Sequence, residues 1–320
     1  MQNWPVSIII PNYNGEQILS RTLTSVTEAA RAYAGQSEII LVDDASQDNS
    51  VDLIAQQFPD VRVVRHETNR GFSEAIHSGV QTAAFPILLL LNSDVYPERD
   101  FLAPLLQRFN REDTFAVSPL ILNPDGQPAR VSWNLVTLIR GEIRSRNWDL
   151  KTAIERNKNP QAMKSLFASG GSAAVRRDMF LKLGGFLSIY HPFYYEDRDL
   201  GTRAWRHGWK TYFEPQSRVV HHHASTIGRF FSSKKTRIIR KRNRLLYLWL
   251  HLSTRTLFLS HLPWIFVRLV SRLLRLDGVF PLALISALGR LKQVARLRSR
   301  VSGGPAGQKP LEKILADITH

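Results

Sequence analysis

The sequence of 320 residues contains no cysteine, which excludes disulfide bridges and thiolate metal sites. The first residues also lack the basic, apolar and small-residue pattern of a signal peptide. Two apolar stretches occur late in the chain, Thr256–Val267 and Leu276–Gly289, but each falls short of the about 20 residues that a membrane-spanning helix needs. These absences favour a cytoplasmic protein whose late helices lie on a membrane or form a small helical core.

Acidic residues are nearly missing from one late segment. Residues 229–300 hold 17 lysines and arginines but a single acid, Asp277, whereas residues 1–228 hold 24 of each sign. The formal net charge of +16 therefore lies in this segment. We expect a neutral domain over residues 1–228, a basic helical region that associates with membranes over residues 229–300, and a flexible tail over residues 301–320.

The basic region predicts contact with an anionic partner. Arg268, Arg272 and Arg275 recur at helical spacing near Trp264, with apolar residues towards another face. Arginine and tryptophan beside an apolar face are typical of a helix that lies on an anionic membrane surface. The alternative is the solvated face of a helical subdomain that caps the first domain. A nucleic acid is not expected as a partner, because no groove-reading motif accompanies the charge.

The first domain alternates apolar strands with helices. Its clearest strand is Ile87–Leu91, whose five consecutive apolar residues are typical of a strand buried on both faces. The alternation predicts an α/β fold with a Rossmann-like, mostly parallel sheet. The polar stretch over residues 130–164 is predicted to be an ordered excursion or lid, or else an irregular surface loop. The other strands predicted early in the chain are Val6–Ile10, Glu38–Val42, Val61–Arg65 and Ala116–Leu122.

Acidic and histidine side chains follow the predicted strands or aromatic loops, where ligands of open α/β sheets bind. Taken singly, each has an ordinary structural role such as a turn residue or a helix cap. Their order on one alternating pattern favours a shared site at one edge of the sheet. These residues are Asp43, Asp44, Asp94, Glu196, Asp197 and the histidines at 221–223.

Seven short segments follow one another across about residues 5–226. They are VSIIIPNYNG at Val6–Gly15, ILVDDAS at Ile40–Ser46, NRGFS at Asn69–Ser73, LLLLNSDV at Leu88–Val95, GGF at Gly184–Phe186, YYEDRDL at Tyr194–Leu200 and HHHAS at His221–Ser225. In this order they resemble the family-2 glycosyltransferases, which have the GT-A fold and use nucleotide-sugar donors. Within that family the resemblance is to the rhamnosyltransferase-like branch.

The resemblance implies a role for each matching residue. Asp94 would bind Mg²⁺ or Mn²⁺ together with His221, or with His223 if the histidine triplet is aligned differently. Asp197 would be the general base, with Glu196 as its neighbour. Asn92 stands where the family commonly has an acid, which lowers the negative charge beside the metal. The nucleotide would lie against Pro11, Tyr13, Asp43, Asp44, Asn69, Arg70, Gly71, Asn92 and Ser93, with Asp44 nearer the nucleobase and 69–71 near the diphosphate.

The resemblance further implies an inverting transfer of a hexosyl or deoxyhexosyl group from a UDP- or dTDP-linked donor to a lipid-linked or glycan acceptor. Such an enzyme would serve cell-envelope polysaccharide synthesis, bound peripherally to the inner face of the cell membrane. Two alternatives are a nucleotidyltransferase and a degenerate transferase that acts as a membrane-bound scaffold. The first would need a basic glycine-rich loop after the first strand, and Pro11–Gly15 has no lysine or arginine. The intact Asp94, Glu196 and Asp197 count against the second.

Overall fold

The computed structural model describes residues 2–159, 163–222, 231–301 and 309–319. They form a nine-stranded mixed sheet, a separate two-stranded hairpin and a C-terminal group of helices. The strands are β1 Val6–Asn12, β2 Ser37–Asp43, β3 Arg62–Arg65, β4 Ile87–Leu91, β5 Val95–Pro97, β6 Thr114–Leu122, β7 Val136–Ile139, β8 Glu142–Ser145, β9 Lys164–Ser165, β10 Ser172–Arg176 and β11 Lys210–His221.

Helices connect most of these strands and continue after the last one. The helices of the sheet domain are α1 Glu16–Ala32, α2 Ser50–Gln57, α3 Phe72–Thr82, α4 Leu102–Gln107, α5 Leu150–Asn157, α6 Arg177–Lys182 and α7 Glu196–Arg206. Those that follow are α8 Ser233–His251, α9 Thr254–Leu274, α10 Val279–Leu288, α11 Leu291–Val301 and α12 Leu311–Thr319.

The large sheet has the strand order β3-β2-β1-β4-β10-β6-β11-β5, with β9 paired to β11. Strands β3, β2, β1 and β4 run parallel to one another, as the alternation of strands and helices predicted. Strand β10 runs antiparallel between β4 and β6, and β6 pairs with β11 in parallel. The parallel half places the carboxyl ends of β1, β2 and β4 at one edge of the sheet.

Strand β4 forms the centre of the core. All five of its side chains are buried: Ile87, Leu89 and Leu91 pack on the face covered by α1 and α4, and Leu88 and Leu90 on the face covered by α3 and α6. Full burial of one such side chain stabilises the fold by about 1.5–3 kcal/mol. The residues that follow β4 are therefore attached to a strand whose position is fixed by its packing.

Within the stretch over residues 130–164, the described residues 130–159, 163 and 164 form an ordered excursion rather than an irregular loop. It contains the β7–β8 hairpin and helix α5. Trp133 is buried beside Phe213 of β11, and its indole N–H donates to the carbonyl oxygen of Lys164 at 2.8 Å. These contacts attach the excursion to the outer part of the large sheet.

The C-terminal helices pack against the sheet domain. Helix α8 buries the run 245–250, and helix α12 buries Leu311 and Ile314 in the same hydrophobic cluster. The prediction of a flexible tail was therefore wrong for residues 311–319, because apolar side chains recur there at helical spacing. The boundary predicted at residue 228 lies outside the described residues, so that division stays a prediction.

Helix α9 is longer than the sequence predicted. Its 21 residues run through Arg255 and Arg268, with a π-helical turn at Leu257–His261, and it is long and apolar enough to cross a membrane by length and composition alone. Only 11% of the most apolar 18-residue stretch of this helix is buried. The sequence predicts only the shorter apolar stretch Thr256–Val267, because an arginine flanks it at each end, whereas the helix continues through both arginines.

Candidate functional site

Polar side chains collect at the carboxyl ends of the parallel strands. Asn12 ends β1, Asp43 ends β2, and Asn92 to Asp94 follow β4. The register pairs Asn12 directly with Asp43. Because β1 lies between β2 and β4, the sheet brings the predicted residues Asp43 and Asp94 and the neighbouring Asn12 to one edge.

The Asp43 carboxylate is fully buried and shapes the turn after β1. It accepts hydrogen bonds from the side-chain amide of Asn12 and from the backbone N–H of Ser46, both at 3.1 Å. The Ser46 hydroxyl in turn accepts from the backbone N–H of Asn14 at 2.9 Å. Asp43 therefore supports the backbone around Pro11 and Tyr13. A contact of either residue with a nucleotide stays a prediction.

The Asp44 carboxylate holds the loop before α3. It accepts hydrogen bonds from the backbone N–H groups of Arg70 and Gly71 at 2.8 and 2.7 Å. Gly71 has φ +85°, a left-handed conformation that favours glycine. The side chains of Asn69 and Arg70 are exposed at this edge, so they are accessible to a ligand.

His66 is a site residue that sequence reasoning missed. Its Nδ1 lies 2.7 Å from Oδ1 of Asp44, and its Nε2 lies 2.8 Å from the hydroxyl of Ser78 on α3. The ring is buried and links the end of β3 to α3. Its position directly after a predicted strand was the available signal.

Asp94 and His221, the two predicted metal ligands, lie next to each other. The Nε2 atom of His221 lies 3.2 Å from Oδ1 of Asp94, and the backbone N–H of His222 donates to the Asp94 carbonyl oxygen at 3.1 Å. The pairing of β5 with β11 brings them together. Within the described ranges, no group of three metal-ligating side chains occurs. His223, the alternative ligand, lies outside those ranges.

Two glycines connect the strand β4 end to Asp197. Gly171 accepts a hydrogen bond from the backbone N–H of Asn92 at 2.9 Å, and a Cβ on Gly171 would lie only 2.6 Å from the Asn92 amide nitrogen. The Gly170 backbone N–H points to Oδ2 of Asp197 at 3.4 Å. A larger residue at 171 would displace Asn92, so this turn sets the spacing between the two motifs.

Glu196 and Asp197 begin helix α7 in different environments. Glu196 is buried, and its Oε2 has no hydrogen-bond partner among the described residues. Burial, together with the neighbouring Asp197 charge, raises the pKa of Glu196 to about 8. Burial also raises the pKa of Asp197, while Arg198 and the backbone N–H groups of Arg198 and Gly170 act to lower it. At neutral pH Glu196 therefore holds a proton beside a partly exposed Asp197.

The loop before α7 is held in a strained conformation by α8. Tyr194 and Tyr195 have φ values of 72° and 81°, and each such non-glycine residue costs about 1–3 kcal/mol. The buried side-chain amide of Asn243 donates to the carbonyl oxygens of Tyr190, Phe193 and Tyr194 at 2.6, 2.8 and 2.9 Å. Sequence reasoning missed Asn243, because it treated this region only as a basic helix.

The Asp199 carboxylate connects helix α7, the aromatic loop before it and helix α8. This carboxylate contacts Nε of Arg203 at 2.6 Å, Nε2 of His251 at 2.8 Å and the hydroxyl of Tyr190 at 3.1 Å. Burial alone would raise its pKa, but the Arg203 charge and the His251 hydrogen bond outweigh burial and lower the pKa to about 2. Asp199 is therefore ionised and structural, unlike the protonated Glu196.

Comparisons with known proteins identify the family of this chain. The model of glycosyl transferase family 2 matches residues 7–184. The N-acetylglucosaminyl-diphospho-decaprenol L-rhamnosyltransferase of Mycobacterium tuberculosis is 28% identical over 69% of this chain and 77% of its own length. Polypeptide N-acetylgalactosaminyltransferase 4 of Caenorhabditis elegans is 30% identical over 68% of this chain and 38% of its own length. The chain thus spans most of the first relative and well under half of the second.

Solved structures confirm the predicted GT-A fold. GalNAc-T7 with UDP, GalNAc and Mn²⁺ superposes with a TM-score of 0.60 at 21% identity, over 78% of this chain and 48% of that one. The Pyrobaculum calidifontis mannosyltransferase PcManGT, in complex with GDP-Man and Mn²⁺, gives a TM-score of 0.55 at 17% identity, over 98% and 84%. The second match includes nearly the whole chain and so extends into the C-terminal helices.

We predict that Glu196→Gln stabilises the protein at high pH. The unfolded carboxyl loses its proton near pH 4.3 but the folded one near about pH 8, so wild-type stability falls between these values as pH rises. Glutamine cannot ionise, so the variant should gain roughly 3 kcal/mol over wild type between about pH 5.5 and pH 8. Urea unfolding at the two pH values measures this gain.

The matched control is Glu155→Gln on the exposed side of α5. It should shift the free energy of unfolding equally at both pH values. A Glu196→Gln variant that behaves in the same way would contradict the assignment of a buried, protonated Glu196.

Proposed function

This chain belongs to glycosyl transferase family 2 and is a glycosyltransferase that uses a nucleotide-sugar donor, and we propose that it transfers a hexosyl or deoxyhexosyl group to a lipid-linked acceptor by a single inverting displacement. The observation that carries the proposal is the turn at Gly170 and Gly171. It contacts the Asn92 motif on one side and the Asp197 carboxylate on the other. A donor at the strand ends would thus lie beside a carboxylate.

Asp197 acts as the general base. The acceptor hydroxyl oxygen attacks the anomeric carbon as the bond from that carbon to the nucleoside diphosphate breaks. Asp197 takes the hydroxyl proton, and a base in this role contributes about 10²–10⁴-fold in rate. The protonated Glu196 keeps a second negative charge away from Asp197. No covalent intermediate is needed, so no nucleophilic side chain is required.

The donor diphosphate binds between the 69–71 loop and Asp94. The exposed Arg70 lies at the N-terminus of α3, where positive dipole and side-chain charge both favour an anion. Asp94 and His221 would hold Mg²⁺ or Mn²⁺, because adjacent ligands of such an ion at about 2.1 Å are about 3 Å apart, close to their 3.2 Å separation. When bound, the ion neutralises charge on the leaving diphosphate. The base of the donor is uracil or thymine, near Asp44.

The acceptor is proposed to be lipid-linked, as the name of the mycobacterial relative states for that enzyme. Support comes from the exposed apolar side chains of α9, including Phe258 at 58% and Phe266 at 67% exposure. The arginines of the C-terminal helices add attraction to anionic lipid. We propose that these helices hold the enzyme on the inner face of the cell membrane, where it contributes to cell-envelope polysaccharide synthesis.

Asp197→Asn should lower kcat by about 10²–10⁴-fold and leave UDP binding near wild type. The measurement is release of nucleoside diphosphate, using the donor sugar that most raises the melting temperature in a thermal-shift panel. Glu196→Gln is the control, since glutamine resembles the protonated carboxyl and should retain most activity at about pH 7. Full turnover by Asp197→Asn would remove the base assignment.

Asp94→Ala should weaken UDP binding only when metal is present. Replacing a residue that hydrogen-bonds to a metal ligand typically lowers metal affinity by about 10- to 100-fold. Replacing the metal ligand itself should lower metal affinity at least as much. Isothermal titration of UDP with and without Mn²⁺ separates metal-dependent from metal-independent binding. The control is Asp60→Ala, which replaces an exposed acid after α2. An unchanged response to Mn²⁺ would place the metal elsewhere.

Replacing Phe258 and Phe266 by serine should weaken binding to phosphatidylglycerol vesicles by about tenfold or more, because each exposed ring can bury apolar area in the lipid. Co-sedimentation of the full-length chain with vesicles measures this. The control is Ile154→Ser with Leu181→Ser, two apolar residues of similar exposure on the sheet domain. Equal losses in both variants would show that α9 is not the membrane face.

A further inference from the structure

A cavity of about 630 Å³ lies among the β7–β8 hairpin, α8 and α9. None of the residues predicted for the donor site lines it. Tyr195, from the strained loop, and Trp264 form part of its wall. Its single acid is Glu142, and its arginines are Arg144, Arg198, Arg244, Arg268, Arg272 and Arg275.

The positive charge of the cavity is only partly compensated. The Glu142 carboxylate lies 2.5 Å from Arg244 and 3.5 Å from Arg268. Arg272 pairs with Asp277 at 3.0 Å. These acids therefore fix three of the six guanidinium groups in place.

In the described part of the chain Arg144 and Arg275 form no ion pair, and Arg198 has only the more distant charge of Asp197 opposite it. Over the ranges that the structure describes, no acid lies within 4.0 Å of Arg144, Arg198 or Arg275. Arg198 instead lies over the rings of Phe167 and Tyr195, at 4.8 and 5.1 Å. Burial, and then the charges of Arg244 and Arg272, lower the pKa of Arg268 against the opposing effect of Glu142. Such a crowded wall attracts an anion.

The position of the cavity connects it to the proposed base and to the apolar helix. Tyr195 and Arg198 flank the Glu196–Asp197 pair at the start of α7. Val267 of α9 also lines the cavity, and Leu274 at the end of α9 is 81% exposed. The cavity wall therefore combines residues next to the proposed base with a residue of the exposed apolar helix.

We propose that this cavity binds the phosphate or diphosphate group of the acceptor lipid, which rests on the proposed function. The acceptor sugar is directed towards Asp197, and the lipid chain leaves along α9. Arginine binds phosphate oxygens in a bidentate manner, and Arg144 and Arg275 at the rim are free of acidic partners within the described part of the chain. The volume lies within the usual range of about 300–1,000 Å³ for small-molecule sites.

The test uses the full-length chain with saturating UDP and Mn²⁺, which occupy the donor site first. Farnesyl diphosphate in detergent is the probe, and inorganic pyrophosphate and farnesol separate its two parts. The test variant is Arg144→Ala with Arg275→Ala. The control is Arg255→Ala with Arg296→Ala, which removes the same charge from exposed positions of the C-terminal helices that do not line the cavity.

We expect farnesyl diphosphate to bind wild type more tightly than either pyrophosphate or farnesol. The test variant should lose about tenfold in affinity for each arginine removed, while the control stays within about twofold of wild type. Both variants should bind UDP as wild type does, which shows that they are folded.

The proposal would be overturned by equal binding of farnesyl diphosphate to wild type and the test variant, by equal loss in the control, or by pyrophosphate binding as tightly as farnesyl diphosphate. Absence of farnesyl diphosphate binding in a wild-type protein that binds UDP would also overturn it. A wild-type protein that binds no nucleotide would instead contradict the proposed function. In that case the difference between the two arginine variants still decides whether the cavity binds the lipid diphosphate.

Discussion

The site depends on the contacts that the ionised carboxylate of Asp199 makes. This carboxylate is fully buried and joins Arg203 of α7, Tyr190 of the aromatic loop and His251 of α8. Arg203 carries the connection further, since its guanidinium donates to the carbonyl oxygens of Leu183 and Gly185. Removing one partner of such a buried charge costs about 3–5 kcal/mol, because the other charge is left uncompensated. Helix α7, which carries the proposed base, the loop before it and the C-terminal region are thus stabilised together.

This arrangement makes the basic C-terminal region part of the site. Asn243 of α8 holds the loop in which Tyr194 and Tyr195 have left-handed backbone conformations. Strain of this kind persists only where surrounding contacts determine it. The orientation of Asp197 at the start of α7 therefore depends on a helix that lies about forty-five residues further along the chain. A function of α8 to α12 limited to membrane attachment would not account for these contacts.

Charge divides the proposed site into two halves. The donor half uses Asp94, His221 and the exposed Arg70 at the carboxyl ends of parallel strands. The acceptor half uses the arginines around the cavity, of which Arg244 and Arg268 are fixed by Glu142. In this proposal Asp197 lies between the two halves. Its carboxylate accepts hydrogen bonds from the backbone N–H groups of Gly170 and Arg198. Two anionic ligands can then approach one carboxylate without sharing a cation.

The sequence by itself determined the parallel half of the sheet and the position of the predicted donor-site residues at its strand ends. The strand Ile87–Leu91 has the same bounds in the sequence-based prediction and in the structure, because a run of apolar residues directly indicates a buried strand. Asp43, Asp94 and Asp197 lie at element ends that local patterns define. Only the tertiary structure decided the roles of His66, Asn243 and Glu142, the packing of α12 and the continuity of α9. Those features depend on contacts between residues far apart in the chain, which no local period of 2 or 3.6 residues records.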